Sequence, residues 1–98
     1  MSRPRISGST RVVATPDHVA AELTGETIVL GLSDGIYYGL PGVGARVWQL
    51  VQQERSVLEV RDALTAGYDV DPERCLSDLV RLFGELADRG LVVATDPG

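Results

Sequence analysis

The sequence predicts an α+β domain of winged-helix-like arrangement: a three-stranded antiparallel β-meander followed by three α-helices. Three observations predict it. Apolar residues alternate at period two between His18 and Leu40, the spacing of half-buried strands. From Val43 onward they recur at helical spacing. Two helix-start signatures, SVLE at Ser56 and DP at Asp71, divide that second half into separate helices.

The elements follow in order. Met1 to about Thr10 is rich in Arg, Ser, Gly and Pro and has little to bury. Arg11 to Thr15 reads as a short extended segment before Pro16. Residues 1–15 are therefore expected as a flexible or loosely extended tail, and residues 16–95 as one domain. HVAAEL sets Val19, Ala21 and Leu23 on one face, and Thr24-Gly25 turns the chain. ETIVLGL sets Ile28, Leu30 and Leu32 on one face. Ser33-Asp34-Gly35 is a strong turn signal, because Asp-Gly tolerates positive φ. IYYGL then sets Ile36, Tyr38 and Leu40 on one face and Tyr37 on the other. The expected result is a meander with one apolar face.

Pro41 suits the first turn of a helix, where its missing N–H costs little. Val43, Val47, Leu50 and Val51 continue that helix, with Trp48 beside them, and it closes at Gln52-Gln53-Glu54. Ser56 and Glu59 form a capping box that opens the second helix. That helix carries Val57, Leu58, Val60 and Leu64 and stops near Gly67. Asp71 caps the third helix, Pro72 takes its first position, and Gly90 ends it after Arg89. Leu91 to Val93 is an apolar end that adds a strand or packs on the core.

The totals bound the class. The 98 residues suffice for one core. A net charge of −5 argues against nucleic acid, whose binders neutralise phosphate with a basic face. The single cysteine, Cys75, permits no internal disulfide and fits a reducing compartment. The N-terminus has no apolar run of the secretory kind, and no stretch approaches the roughly 20 apolar residues that cross a bilayer. The expectation is a cytoplasmic protein without membrane partners.

Catalytic inventory is thin. His18 and Cys75 are the sole members of their types and fall in different elements. His18 reads as a strand-edge polar residue and Cys75 as a small buried hydrophobe. Metal-ligand spacings such as Cys-x-x-Cys or His-Glu-x-x-His are missing from the sequence. GLPGVG, Gly39 to Gly44, lacks the lysine of a phosphate loop, so tight-turn geometry explains its glycines. Asp69 with Asp71, and Asp78 with Glu85, read as solvated surface charges. No enzyme activity, cofactor or metal is expected.

The third helix is the informative one. Cys75, Leu79, Leu82 and Leu86 form one stripe, and Leu76, Val80, Phe83 and Ala87 a second. Together they span an arc of about 160°, wider than the roughly 100° that one packing face needs. Either both stripes are core, or one faces the core and the other lines a groove. A groove would have Ile36 to Leu40 as its opposite wall. A winged-helix DNA reader would instead line this helix with Lys and Arg. Here Arg74, Arg81 and Arg89 alternate with Asp78, Glu85 and Asp88.

DGIYYGLPGVGARVWQL resembles the strand-to-helix junction of PqqD-like proteins. SVLEVRDALTAGYDVDPERCLSDLVRLFGELADRGLV resembles their second half, so the likeness runs from about Pro16 to Val93. It implies a recognition element for ribosomally made, modified peptides. Such an element binds the leader segment of a precursor and presents it to processing enzymes. The leader adds as a β-strand to the third strand of the meander, against the third helix. Carried over, the strand is Gly35, Ile36, Tyr37, Tyr38, Gly39 and Leu40. The groove side chains are Leu76, Val80 and Phe83 of the second stripe, with Arg74 flanking them. Pro41 stands where PqqD proper has Asn, and the charged, aromatic-rich N-terminal strand is missing. These departures favour a free-standing member of a lasso peptide pathway, partnered by a separate leader peptidase and a macrocyclase. The alternatives are a PqqD-type chaperone of another peptide-modification pathway or a winged-helix DNA-binding protein.

Overall fold

The computed structural model describes residues 6–16, 18–23, 26–32, 35 and 37–95. In chain order these form β1 (Arg11–Ala14), β2 (His18–Leu23), β3 (Glu26–Gly31) and β4 (Tyr37–Pro41). Then follow α1 (Val43–Leu50), β5 (Arg55–Ser56), α2 (Val57–Gly67), α3 (Pro72–Asp88) and β6 (Val92–Thr95). The expected meander is present as an antiparallel sheet in the order β2-β3-β4, and a second sheet runs β5-β1-β6. Ile36, the Thr24-Gly25 turn and the Ser33-Asp34 pair lie outside the described residues. Gly35 is described, and its φ of 68° is one that glycine adopts without strain.

The first correction concerns the N-terminus. Residues 6–15 are built into the fold rather than forming a tail. β1 pairs antiparallel with β5 on one side and β6 on the other. Val12 is fully buried and Ile6 is buried with it. The Ala14 N–H donates to the Val51 carbonyl (2.8 Å) and the Thr15 N–H to Leu91 (3.0 Å). Val57 and Leu58, at the start of α2, donate to the carbonyls of Thr10 and Gly8. Composition hides this, because the strand's partners lie some forty to eighty residues downstream. Of the apolar end Leu91 to Val93, Val92 and Val93 open a strand, β6, and Leu91 packs into the core.

The second correction concerns the meander's faces. Cross-strand partners share a face. The register sets Val19 opposite Leu30 and Ala21 opposite Ile28. It sets Val29 opposite Tyr38, Thr27 opposite Leu40, and Leu30 opposite Tyr37. The core face therefore carries Val29, Thr27 and Leu40, all buried, with Tyr38 packed against them. Tyr38 and Leu40 lie inward as expected, whereas the expected faces of β2 and β3 are reversed. Val19 is 54% exposed. ETIVLGL is apolar at both parities, so alternation alone cannot choose the face that meets the helices. His18 also lies on the core side, its ring edge-on to buried Trp48 at 4.9 Å. Its Nδ1–H donates to the Thr15 carbonyl at 2.6 Å.

Pro41 closes β4 instead of opening a helix. Gly42, at φ 55°, then turns the chain into α1, a conformation that side chains with a Cβ seldom adopt. α1 buries Val47, Trp48 and Leu50. The capping box of α2 forms as expected: Glu59 N–H donates to Ser56 Oγ (3.1 Å), and Ser56 N–H to Glu59 Oε1 (2.8 Å). The Ser56 N–H holds the Glu59 carboxyl below its ordinary range, helped by the Ser56 hydroxyl. A lowered folded-state value means that this contribution is present above the unfolded pKa. It fades as pH falls through the folded one.

α3 begins at the expected Asp71 cap, which accepts from the Glu73 N–H at 3.3 Å. It ends in a Schellman motif: Gly90 (φ 74°) donates to Ala87 and Leu91 to Leu86, the two leucines both buried. Along α3, Leu79, Phe83 and Leu86 are buried, while Cys75, Leu76, Val80 and Leu82 are half-buried. The buried line thus takes residues from both sequence stripes. Phe83 is the helix's central core residue rather than a groove residue, because α3 packs on both α2 and β6.

Two measurements check this account. Phe83→Ala leaves a closed cavity and is expected to cost about 3–5 kcal/mol. Leu82→Ala, at a half-open position, costs clearly less by urea denaturation. The reverse order would place the core on the other side of α3. Deletion of residues 1–14 removes the middle strand of the second sheet and is expected to abolish the cooperative thermal transition. A truncated protein melting with the full chain would show that β1 is dispensable.

Candidate functional site

β4 is an edge strand: it pairs with β3, and its other edge is unpaired among the described residues. An exposed edge offers a row of free N–H and C=O groups to any extended chain. Alternation divides its side chains. Tyr37 lies outward and is 70% exposed, while Tyr38 and Leu40 lie on the core side. The Arg89 guanidinium, at the end of α3, sits 5.9 Å from the centroid of the Tyr38 ring, within cation–π range. Tyr38 Oη is shielded from solvent and has no hydrogen-bond partner among the described residues.

Just past β4 the chain enters α1, and there an apolar cavity of about 370 Å³ opens. Val43, Gly44 and Val47 of α1 form one wall. Cys75, Leu79 and Leu82 of α3 form the other, closed by Leu64 and Val70. A Cβ at Gly44 would lie 3.4 Å from the Leu40 side chain, so the cavity's α1 wall abuts the strand directly. Polar groups are confined to Asp71, Arg74 and Asp78. Arg74 and Asp78 pair loosely at 4.0 Å, both largely exposed, and such pairs contribute only about 0–1 kcal/mol. Partial burial, with the Asp78 carboxylate, pushes the Cys75 thiol up against a weaker opposing pull from Arg61. The thiol therefore stays protonated and serves as an apolar lining group.

The structure brings together only part of the expected site. Tyr37, Tyr38, Gly39 and Leu40 form the edge strand, with Gly35 just before it. Arg74 lines this cavity rather than flanking a groove of Leu76, Val80 and Phe83. Leu76 and Val80 are half-buried but do not line the cavity, and Phe83 is sealed in the core. The α3 residues that do line it, Cys75, Leu79 and Leu82, belong to the first stripe, not to the second stripe that the family resemblance assigns to the groove. The sequence reads Val43 and Val47 only as helix residues and Gly44 only as a turn glycine, none of them as site residues. Their signal is an apolar i, i+4 pair flanking a small residue at the start of α1. Among the described residues, no group of three or more His, Cys, Asp and Glu side chains could hold a metal ion. No described helix is long and apolar enough to cross a membrane.

Comparison with solved structures finds this architecture in two proteins. One is TbiB1 in complex with the TbiA(beta) leader peptide. It is 32% identical, with a TM-score of 0.75 over 82% of this chain and 93% of that one. The other is a lasso peptide synthetase B1 complexed with its leader peptide. At 22% identity and a TM-score of 0.72, over 84% of this chain and 96% of that one, it supports the fold alone. No curated protein sequence matches significantly. The family model for PqqD, coenzyme PQQ synthesis protein D, matches residues 26–92, from the start of β3 into β6. The chain belongs to the PqqD family.

Proposed function

We propose that this protein binds the leader segment of a ribosomally made precursor peptide in lasso peptide biosynthesis. It presents the bound precursor to a separate leader peptidase and to a macrocyclase. The observation that carries this reading is the unpaired edge of β4, followed through Gly42 by α1, which forms one wall of the apolar cavity facing α3. The likeness to TbiB1, a protein seen with a leader peptide, supports it.

The binding mode follows from the geometry. An extended leader laid along Tyr37 to Pro41 completes the free backbone hydrogen bonds, which supply affinity without regard to sequence. At about 3.3 Å per residue, alternate leader side chains point to opposite faces of the enlarged sheet. Those on the core side meet Tyr38, Leu40 and the cavity beyond. An aromatic side chain entering that cavity would remove about 150–250 Å² from water. At about 25 cal/mol per Å², that is roughly 4–6 kcal/mol before the costs of ordering the peptide. Specificity then rests on one or two large apolar leader residues at fixed spacing from the strand.

This function needs no reaction from the chain itself. Neither of the two candidate catalytic side chains is equipped for one. His18 is committed to Thr15 and Trp48, and Cys75 is a raised, protonated thiol on α3. The chain acts as a non-catalytic adaptor in the cytoplasm, where precursor peptides are made. Its single cysteine is compatible with that compartment.

A labelled leader tests the proposal, with the TbiA(beta) leader and the leader of a precursor encoded beside this chain as probes. Val43→Glu puts a charge at a cavity wall that is already 36% exposed. It is expected to leave the unfolding midpoint nearly unchanged and to weaken leader binding by tenfold or more in a fluorescence anisotropy titration. Wild-type affinity in a folded Val43→Glu protein would remove the cavity from the binding site.

A further inference from the structure

A second cavity, of about 310 Å³, opens where the far end of the meander meets α1. The meander gives Glu22, Glu26 and Thr27 to its lining, α1 gives Arg46 and Gln49, and Tyr68 joins them from the end of α2. It is polar where the first cavity is apolar. The two are one residue apart along the chain: Gly42 lines this one, Val43 and Gly44 the other. Its charges are not matched among the described residues. Arg46 Nη1 donates to Gln49 Oε1 (3.4 Å), and Gln49 Nε2 donates on to Glu22 Oε1 (2.9 Å), so a neutral amide stands between cation and carboxylate. Glu26 is half-buried and has no cationic partner among the described residues. Its Oε1 lies 3.1 Å from where a Cβ of Gly39 would stand, so the carboxylate reaches over the edge strand at a residue without a side chain. Thr27 is 2% exposed, and its hydroxyl bonds to no described residue. Tyr38 Oη is the single unpartnered side-chain polar atom sealed from solvent among the described residues, so the Thr27 hydroxyl opens into the cavity it lines. Buried polar groups are paired as a rule, and one that opens into a cavity takes its partner from water or a ligand.

We infer that this cavity is a cation subsite for the bound peptide, taking the ammonium or guanidinium of a basic group beside the strand-paired segment. The inference rests on strand addition at β4 and adds a second determinant of leader choice there. Charge selects the ligand. Two carboxylates face one guanidinium that Gln49 already engages, so the lining is net negative and opposes an anion. An ammonium has three donors and no acceptor. The carboxylate of Glu26, the hydroxyl of Thr27 and the remaining oxygen of Glu22 are acceptors for it, and the Tyr68 ring adds a π face. Topology selects the end of the peptide. Every strand pair among the described residues is antiparallel, and that pairing is slightly the more stable. A leader that adds in the same sense sends its N-terminal part past Pro41. At about 3.4 Å per residue, the leader residue level with Gly42 precedes the one opposite Gly39 by about three positions. The cation is a lysine or arginine side chain near that position, or the amino terminus of the peptide. Because Gly42 and Val43 are neighbours, one peptide fills both cavities, with an apolar side chain in the first and a cation in the second.

The test uses the full chain and leader peptides labelled at the C-terminus, read by fluorescence anisotropy. The TbiA(beta) leader and the leader of a precursor encoded beside this chain are each made with an acetylated N-terminus and with every lysine and arginine changed to glutamine. Lysine is then restored one position at a time through the N-terminal half, and one further probe restores only the free amino terminus. One or two adjacent positions, or the free terminus, are expected to tighten binding over the neutral probe by about fivefold, the upper end for an accessible ion pair. The gain should shrink as salt is raised from about 0.05 to 0.5 M. A gain from lysine assigns the subsite to a side chain, and a gain from the free terminus assigns it to the amino group. Glu26→Gln should abolish the gain, and Thr27→Val, which keeps the side chain's shape, should reduce it. Equal affinity across the whole series overturns the inference, as does a gain undiminished in either folded variant. So does a matching glutamate series that tightens binding and loses that effect in Arg46→Gln, since that makes the cavity an anion site. Failure of the unmodified leaders to bind the wild-type protein overturns the leader reading itself, and this inference with it.

Discussion

The antiparallel register of β4 on β3 is the constraint on which the site depends. By setting Val29 opposite Tyr38 and Thr27 opposite Leu40, it fixes which side chains of the edge strand reach the helices. A slip of one residue would exchange every side chain between faces. Tyr37 would then lie in the core and Tyr38 in solvent. The register is held from the inner side by Val29, Leu40, Val47 and Trp48, which join one core cluster. It is held at its end by Gly42, whose positive φ lets α1 begin directly after Pro41. The cavity is a consequence: α1 starts so close to β4 that Gly44 abuts Leu40, and Val43 and Val47 are left facing α3.

The far wall depends on a different set of contacts. α3 is anchored by Phe83 and Leu86 against α2 and β6, and its end is locked by the Schellman motif at Gly90. β6 in turn exists because β1 lies between it and β5. Arg11 joins this arrangement electrostatically, with Nε 2.9 Å from Glu54 and Nη1 3.6 Å from Glu59. The N-terminal strand is thus remote from the cavity in sequence, yet it holds the helix that forms the cavity's far wall. Anchoring α3 through Phe83 and Leu86 leaves Cys75 and Leu82, on the side toward α1, partly open.

Local signals in the sequence were strong where one segment decides its own structure. The Ser56–Glu59 capping box, the Asp71-Pro72 start and the Gly90 stop are read from a few residues and occur where those residues imply. The three meander strands are legible for the same reason. What was not legible needs a distant partner. β1 looks like a tail because its hydrogen-bond partners are at Arg55–Ser56 and Val92–Thr95. The faces of β2 and β3 were reversed because Ile28 and Val29 are equally apolar, and only Trp48 and Leu40 decide which is buried. The same ambiguity governs α3. Its two stripes have nearly equal hydrophobicity, so periodicity measures the width of the apolar arc but not its centre. Phe83, the largest side chain on the arc, takes the core as the residue with most apolar surface to remove from water.

Strand addition at β4 is the central claim, and amide hydrogen exchange measures it most directly. In the free protein, the β4 amides that do not bond to β3 are open to solvent, whereas those paired with β3 are protected. With saturating leader peptide, the account predicts that the open amides among Tyr37 to Leu40 become strongly protected, while the outward edge of β2 is unchanged. Protection that appears at β2, or along α3 with no change in β4, would contradict strand addition at this edge.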